Sequence, residues 1–191
     1  MAKTYKEIMN GITAFIFDVD GVLTDSSVHI TPTGEMLRVM NIRDGYAMKA
    51  AVESGYHVCI ISGGSNEGVR IRLQNLGITD IHLATPDKVK TFKEYIELYQ
   101  INAEEVLYMG DDIPDYYVMK LVGLPTCPQD ASPEIKEIST YISHKNGGRG
   151  AVRDVIEQVM KVQGKWSKHF DGKHDWGSGK VSELQRLKIL P

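Results

Sequence analysis

Cysteine is scarce in this sequence. Only two cysteines, Cys59 and Cys127, occur among 191 residues. A small secreted domain that depends on a disulfide framework carries several cysteines, so this chain does not fit that class. Both cysteines lie in apolar runs typical of buried strands, which favours reduced thiols. We therefore expect a cytoplasmic protein.

Long apolar runs and an excess of charge of one sign are absent as well. No run approaches the roughly 20 apolar residues that a helix needs to cross a bilayer, and residues 1–7 lack the apolar core of a signal peptide. The 22 Lys and Arg residues nearly balance the 25 Asp and Glu residues, for a net charge of −3, and they are scattered. Because nucleic-acid surfaces concentrate basic residues, we expect no nucleic-acid partner and no membrane association.

Short apolar runs alternate with segments of helical periodicity along the chain. The hydrophobic content of 42% is sufficient for one core at this length. The alternation predicts βαβ units, and hence an α/β fold with a doubly wound, Rossmann-like parallel sheet. Extended runs over residues 27–30 and 36–40 predict a small β-hairpin insert. We expect a single domain over residues 1–164.

The segment after Gly164 differs in composition from that domain. Residues 165–191 are polar and glycine-bearing, and they carry Trp166, Phe170 and Trp176. Two interpretations remain open for this C-terminal tail. It is either flexible, as chain ends commonly are, or it docks on a neighbouring subunit through the aromatic side chains.

Two carboxylates stand at the end of the first predicted strand. Ala14–Phe17 is wholly apolar, as in a strand buried on both faces of a parallel sheet, and Asp18, Asp20 and Gly21 follow. In open α/β sheets, ligands bind beyond the carboxyl ends of the strands. Two carboxylates this close repel each other unless they share a proton or bind a cation. The motif therefore predicts either a metal site or an acid–base pair.

Three further groups of polar residues follow later strands or loops. They are Ser62 with Gly63 and Gly64, Lys88, and Asp111 with Asp112. Each group alone fits a plain turn, a helix cap or a solvated surface charge. Their shared placement at one edge of the predicted sheet instead favours a common site.

Together these groups match the parts of a phosphoryl-transfer site. The carboxylates of Asp18, Asp20 and Asp111 form the hard-oxygen environment that Mg²⁺ prefers. Lys88, the Ser62 hydroxyl and backbone N–H groups would hold phosphoryl oxygens. Asp18 is then free to attack phosphorus, and Asp20 could protonate the leaving oxygen and later activate water.

The same motifs resemble those of the haloacid dehalogenase superfamily phosphatases. The four ordered motifs are residues 18–25, Ser62, Lys88 and residues 110–115. Within the superfamily, the chain is similar over residues 12–164 to the small capless members that hydrolyse 3-deoxy-D-manno-octulosonate 8-phosphate. Residues 41–46 and 147–153 carry this closer resemblance. It implies a hydrolase of lipopolysaccharide precursor synthesis with no cap domain.

The resemblance implies a role for each motif residue. Asp18 is similar to the nucleophile that becomes an aspartyl phosphate, and Asp20 to the acid/base. Mg²⁺ ligands are implied at Asp18, at the backbone carbonyl of Asp20 and at Asp111. Ser62 and Lys88 resemble the phosphate-binding pair.

Further residues are implied to support the site or to contact the substrate. Asp115 would orient Lys88 or a metal-bound water, with Asp112 beside it. The implied substrate-binding residues are Asp20, Asn41, Arg43, Asp44, Gly45, Lys49, Gly63, Arg72 and Lys88. An arginine guanidinium can donate two parallel hydrogen bonds to the carboxylate of a 2-keto acid. The alternative for Arg43 and Arg72 is a salt bridge at the surface or at a subunit interface.

One position departs from the pattern of the similar phosphatases. Many of them carry Ser/Thr-Gly-Arg, whereas this chain has Ser62, Gly63 and Gly64, so a basic side chain near the substrate is missing. The departure concerns the substrate rather than the type of reaction. A related nine-carbon keto-deoxy sugar acid 9-phosphate therefore remains an alternative substrate.

The resemblance also implies a homotetramer. Capless members have no lid of their own, yet the phosphoaspartate must be screened from bulk water during turnover. Since the predicted hairpin carries many apolar residues, we expect a neighbouring subunit to bury it and to have its active site completed by it. The tail after Gly164 could cover the same opening.

Two functions of other classes compete with this one. A signalling receiver domain also gathers acidic residues, a hydroxyl and a lysine around a phosphorylatable aspartate. Its acceptor follows a middle strand, however, whereas the acidic pair here ends the first strand. A non-catalytic homologue would lack a motif carboxylate, and none is missing. We therefore expect an active phosphoric monoester hydrolase with a small-molecule substrate.

Overall fold

The structure is a computed structural model that describes residues 4–169. Its strands are β1 (Ala14–Phe17), β2 (His29–Ile30), β3 (Met36–Leu37), β4 (His57–Ile61), β5 (Asp80–His82), β6 (Val106–Met109), β7 (Leu124–Cys127) and β8 (Tyr141–Ile142). Six of them form one parallel sheet in the order β5-β4-β1-β6-β7-β8. Strands β2 and β3 pair antiparallel in a separate hairpin, shorter than predicted. This architecture confirms the predicted fold class.

Helices cover both faces of the sheet. They are α1 (Tyr5–Asn10), α2 (Ile42–Glu53), α3 (Glu67–Gln74), α4 (Lys88–Tyr99), α5 (Tyr116–Met119), α6 (Pro133–Ile138) and α7 (Ala151–Val162). Apolar side chains of α1, α2, α3 and α7 share one core with the sheet, and those of α4, α5 and α6 share the other. Among the helices described, none is long and apolar enough to span a membrane.

Strand β1 lies in the middle of the sheet and is completely buried. Its side chains alternate, because successive residues of a strand point to opposite faces. Phe15 and Phe17 enter the core beneath α2 and α7, whereas Ala14 and Ile16 enter the other core. Burying each large apolar side chain contributes about 1.5–3 kcal/mol. These contacts fix the register of β1, and hence the position of Asp18 directly after it.

Two helical segments differ from the sequence predictions. Helix α1 was not predicted, because it has only six residues; it begins with a capping box between Thr4 and Glu7. The segment after Asp112 forms two short helical pieces rather than one helix. A 3₁₀ turn at Ile113–Asp115 precedes α5, and Pro114 lies in the first turn, where its missing N–H costs little. The turn directs Asp115 into the protein, where it is 1% exposed.

The first residues of the predicted tail pack against their own chain. Trp166 is 4% exposed and meets Tyr46 edge-on, with the ring centroids 6.2 Å apart. The guanidinium of Arg153 lies 5.4 Å from the Trp166 ring. The other two aromatic residues predicted to dock, Phe170 and Trp176, lie outside the described residues.

Candidate active site

Three adjacent strands bring the motif residues to one edge of the sheet. Asp18 follows β1, Ser62 follows β4 and Asp111 follows β6 after one glycine, and these strands are parallel neighbours. Lys88 begins α4, after the loop that leaves β5. Since parallel strands end at the same edge, the four side chains converge from separate parts of the chain.

Lys88 lies between two carboxylates. Its Nζ is 2.7 Å from Oδ1 of Asp115 and 3.0 Å from Oδ2 of Asp18, and all three side chains are almost completely buried. Burial acts to lower the pKa of Lys88, but the charges of Asp18 and Asp115 outweigh it and raise that pKa above its ordinary value. The lysine is therefore held as a cation beside Asp18.

The carboxylates at this edge outnumber the single lysine. Oxygen atoms of Asp18, Asp111 and Asp115 all lie within 4.8 Å of one another. Burial, followed by the charge of Asp115, raises the pKa of Asp18 to about 6. Burial, followed by the charge of Asp18, raises the pKa of Asp111 to about 7. Asp18 and Asp111 therefore resist ionisation, because burial and the neighbouring negative charges oppose it.

One oxygen of this cluster also lacks a partner. Within residues 4–169, the buried Oδ1 atom of Asp18 accepts no hydrogen bond. A buried acceptor without a partner costs free energy, and so does the mutual repulsion of Asp18 and Asp111. A divalent cation would remove both costs, and hard carboxylate oxygens are the ligands that Mg²⁺ prefers. The donor set therefore fits Mg²⁺.

The loop after β1 approaches the cluster closely because residue 21 is glycine. Gly21 has a φ of +87°, a conformation that other residues rarely adopt, and any Cβ there would collide with the Asp111 carboxylate. The backbone that follows Asp20 therefore lies directly against Asp111.

Asp115 has further partners in the protein interior. The hydroxyl of Tyr108, in β6, donates to its Oδ1 at 2.6 Å, and the backbone N–H of Asp111 donates to its Oδ2 at 3.3 Å. Tyr108 is 0% exposed, and burial with the charge of Asp115 raises the pKa of its hydroxyl well above the ordinary value. The hydroxyl thus stays protonated and fixes Asp115, which in turn fixes Lys88. Asp112 is exposed, and its charge helps to raise the pKa of Asp111.

The loop after β4 supplies a hydroxyl group to the same edge. Ser62 is 2% exposed, and its Oγ accepts a hydrogen bond from the N–H of Gly64 at 3.3 Å. The backbone of Ser62 is fixed as well, because its N–H donates to the carbonyl of His82 and its carbonyl accepts from the N–H of Thr85, both at 2.9 Å. Gly63, between the two, is exposed.

Asp20 is paired with an arginine that was not among the predicted site residues. Arg38 follows β3, and its Nε and Nη2 atoms donate to Oδ1 and Oδ2 of Asp20 at 2.7 and 3.0 Å. Such bidentate pairs are among the strong hydrogen bonds of proteins. A basic side chain was predicted to be missing here because residue 64 is glycine. The structure instead brings one from the hairpin.

Two of the predicted sugar-binding residues contact backbone atoms. Asn41 caps α2, and its Nδ2 donates to the carbonyl of Gly148 at 3.3 Å. Asp44 is 1% exposed and accepts from the N–H groups of Gly150 and Arg153 at 3.2 and 2.7 Å. Burial raises the pKa of Asp44 to about 6, although both donors act to lower it. These residues join α2 to the start of α7, and a contact with the sugar remains a prediction for both.

The other predicted sugar-binding residues lie on α2 and α3. Gly45 leaves room for Arg72, since a Cβ at position 45 would be 2.6 Å from the Arg72 Nη2 atom. Lys49 is 3.8 Å from Oε1 of Glu53, one turn later in α2. A contact of Gly45, Lys49 or Arg72 with substrate likewise remains a prediction.

Arg43 lines an open pocket of about 610 Å³. The pocket lies between the start of α2 and α7, and its other basic residues are His144, Lys145, Arg149, Arg153 and Lys161. Asp20 and Ser62 line a different space, together with Arg38 and Gly64. The structure therefore places Arg43 in another pocket from the acid/base candidate.

Comparisons with known proteins agree on one family. Residues 75–156 match a family described as haloacid dehalogenase-like hydrolase. Over 154 residues the chain is 39% identical to the 3-deoxy-D-manno-octulosonate 8-phosphate phosphatase of Salmonella typhi, and the match covers 81% of this chain and 82% of that protein. This chain belongs to that phosphatase family.

Solved structures of the family superpose closely on this one. The phosphatase from Yersinia pestis gives a TM-score of 0.83 at 34% identity, covering 85% of this chain and 88% of that one. The phosphatase from Moraxella catarrhalis was solved with a magnesium ion, a phosphate ion and a KDO molecule. It gives a TM-score of 0.84 at 28% identity, covering 88% of this chain and 97% of that one. Family membership thus confirms the resemblance inferred from the motifs.

The sequence interpretation missed Tyr108 and Arg38. Tyr108 left a signal, because a buried tyrosine hydroxyl needs a partner and this one lies shortly before Gly110 and Asp111 in a strand with no other polar side chain. Arg38 left no local signal, because its partner Asp20 is 18 positions away and only the folding of the hairpin joins them.

Proposed function

We propose that this protein is a Mg²⁺-dependent phosphomonoesterase that hydrolyses 3-deoxy-D-manno-octulosonate 8-phosphate to the free sugar acid and phosphate. Its place is in lipopolysaccharide precursor synthesis in the cytoplasm. The observation that carries the proposal is the position of Lys88 between Asp18 and Asp115, next to a buried Asp18 oxygen without a partner in the described chain. The 39% identity to a phosphatase of this substrate supports the choice of sugar acid.

Asp18 is the nucleophile in this proposal. Its carboxylate attacks phosphorus, the bond to the sugar oxygen breaks, and an aspartyl phosphate forms. Asp20 gives a proton to the departing sugar oxygen. In the second step Asp20 accepts a proton from a water molecule, which attacks phosphorus and releases phosphate from Asp18. Two-residue spacing places both carboxylates on the loop that leaves β1.

The remaining motif residues bind the metal ion and the phosphoryl group. The Asp18 and Asp111 carboxylates and the backbone carbonyl of Asp20 would hold Mg²⁺, which supplies positive charge to the phosphoryl oxygens when bound. Lys88 and the Ser62 hydroxyl hold the phosphoryl group from the other side. The charge that develops on phosphoryl oxygens is thus met by groups fixed in advance, the arrangement that lowers barriers most effectively.

The proposal includes a homotetramer in which the hairpin completes a neighbouring active site. Four apolar side chains of the hairpin segment are strongly exposed in the single chain: Ile30, Met36, Leu37 and Val39. An apolar patch of this kind is commonly covered by a partner. Covering it near the site would also screen the aspartyl phosphate from bulk water.

Phosphate release from a panel of sugar phosphates tests the proposed function. Wild-type protein with Mg²⁺ should prefer eight- or nine-carbon keto-acid phosphates over simple hexose phosphates. The panel also decides between the eight-carbon substrate and its nine-carbon alternative. Asp18→Asn should abolish turnover, with a loss of about 10³-fold or more, because the amide is a poor nucleophile. Full activity in Asp18→Asn would contradict the nucleophile, and equal rates on hexose phosphates would contradict the substrate class.

A further inference from the structure

Arg38 is a buried side chain on an exposed hairpin. Its neighbours Leu37 and Val39 are 51% and 61% exposed, whereas the Arg38 side chain is only 8% exposed. An arginine directly after a two-residue strand at the surface would normally extend into water. Here it turns away from solvent and inserts beside Asp20.

Gly64 makes room for this insertion. A Cβ at position 64 would lie 3.0 Å from Oδ2 of Asp20 and 3.5 Å from Nη2 of Arg38. The space shared by these residues with Ser62 and Asn66 has no room for a water molecule. Gly64 therefore leaves space for the Asp20–Arg38 pair, and a Cβ there would first press on the Asp20 carboxylate.

Two further hydrogen bonds fix β3, directly before Arg38. The Nη1 atom of Arg38 donates to the carbonyl of Met36 at 3.1 Å. The side chain of Asn66, which caps α3, donates to the same carbonyl at 3.0 Å. The hairpin is thus tied to the catalytic edge at two points, one through Asp20 and one through Asn66.

Asp20 receives two side-chain hydrogen bonds from this arginine. Its side chain is 37% exposed, and among residues 4–169 no side chain other than Arg38 donates a hydrogen bond to it. A carboxylate on a loop, without such a partner, samples several rotamers. Proton transfer needs the carboxylate at hydrogen-bond distance from the reacting oxygen, so each unproductive rotamer lowers the rate.

We propose that Arg38 is a positioning residue for the phosphatase reaction, which holds the Asp20 carboxylate in place and fastens the hairpin to the active site. This inference rests on the proposed function. Arg38 acts through Asp20 rather than on the substrate, because its Nε, Nη1 and Nη2 atoms all donate within the protein and its side chain is largely covered. The site therefore obtains through the hairpin the arginine that its own Ser-Gly-Gly loop lacks.

Kinetics of Arg38 variants test the assignment. Arg38→Ala should lower kcat for the preferred sugar phosphate by about 10- to 100-fold and change KM by less than about threefold, because positioning affects the proton-transfer steps. Arg38→Lys should recover part of kcat, since a lysine supplies the charge without the bidentate geometry. Arg70→Gln is the matched control, because Arg70 pairs with Glu67 on α3 outside the site, and it should keep wild-type kcat.

A double-mutant cycle separates action through Asp20 from an independent effect. It uses p-nitrophenyl phosphate, whose leaving group departs without protonation, so that Asp20→Asn impairs only the second step, the hydrolysis of the aspartyl phosphate, and the residual turnover is measured against Asp18→Asn as the inactive reference. In the Asp20→Asn background, Arg38→Ala should reduce kcat by less than about twofold. If the kcat losses of Asp20→Asn and Arg38→Ala multiplied in the double variant, the inference would be overturned. A rise in KM of Arg38→Ala with kcat unchanged would also overturn it. Circular dichroism and thermal melting confirm that each variant is folded.

The same measurements distinguish a failure of the proposed function from a failure of the role assigned to Arg38. Wild-type protein without phosphatase activity on any phosphate would overturn the proposed function, and the inference with it. An active wild-type protein whose Arg38 variants keep its kcat would overturn the inference alone.

Discussion

The catalytic edge of the sheet and the hairpin beside it are built in opposite ways. At the edge, Asp18, Lys88 and Asp115 are buried behind strands whose every residue is covered. The hairpin consists of two-residue strands with exposed side chains on both of them. The guanidinium of Arg38, which directly follows β3, reaches from the hairpin to Asp20 at the edge.

The difference reflects what each region must do. Buried charges are tolerated only when they compensate one another, so the edge needs a rigid frame and several partners for each carboxylate. That frame also holds the charges in position before substrate arrives. The hairpin has exposed apolar side chains and is the part that can be adapted to a neighbour or a substrate. Substitutions at the edge should therefore lower stability and kcat, whereas substitutions in the hairpin should mainly change assembly and kcat.

Removing the cation from the edge should have the largest effect. Lys88→Met keeps the length of the side chain but leaves Asp18 and Asp115 buried without their shared partner. We expect a loss of about 3–5 kcal/mol in the free energy of unfolding and of at least about 10²-fold in kcat. Urea titration and phosphate release measure the two losses.

Lys90→Met is the matched control, because Lys90 is 71% exposed on the same helix. It should change the free energy of unfolding by less than about 0.5 kcal/mol. A Lys88→Met protein as stable as this control would show that the edge does not depend on charge compensation.

The same contrast explains how far the sequence was informative. Asp18, Ser62, Lys88 and Asp111 could be predicted to converge, because each follows a strand or loop at one edge and parallel strands end together. Local patterns also predicted the sheet and the hairpin. The pairing of Arg38 could not be predicted, because it depends on how a short, weakly patterned hairpin folds back over the loop after β1.

The sugar-binding set shows a second limit. Asp44 was predicted to bind substrate, which stays a prediction, and its carboxylate also accepts from the first N–H groups of α7, more than 100 positions later. Nothing near Asp44 in the sequence reveals this partner. The side chain's polarity suits either role, so only the tertiary structure shows which atoms it contacts.

Mg²⁺ binding should stabilise the catalytic edge, and the size of the effect should depend on pH. The pKa values of Asp18 and Asp111, about 6 and about 7, lie above the ordinary value of 3.8, so the metal-free folded protein holds protons that the unfolded chain has already lost. The contribution of these two carboxylates to stability therefore falls as pH rises from about 4 to about 7. Because Mg²⁺ binds the ionised carboxylates, it should raise the Tm more at about pH 8 than at about pH 5.

Differential scanning fluorimetry with and without Mg²⁺ measures this dependence. At about 100 times its Kd, Mg²⁺ should stabilise the folded protein by about 2.7 kcal/mol at the higher pH. Asp111→Asn should remove most of the Mg²⁺ effect and flatten the pH dependence. An Mg²⁺-induced rise in Tm of equal size at both pH values would argue against a site built from these carboxylates.

Changing the hairpin surface should have the smallest effect on the subunit itself. Ile30→Ser with Leu37→Ser removes two apolar side chains that are 70% and 51% exposed, so the fold of each subunit should be retained. Because we propose that a neighbour covers these side chains, sedimentation should shift from a tetramer to smaller species, with a several-fold loss of kcat. Leu98→Ser, at a position 72% exposed on α4, should leave the tetramer intact. A double variant that sediments as wild type would place the subunit interface elsewhere. The Arg38–Asp20 pair would then form in a hairpin that no neighbouring chain covers.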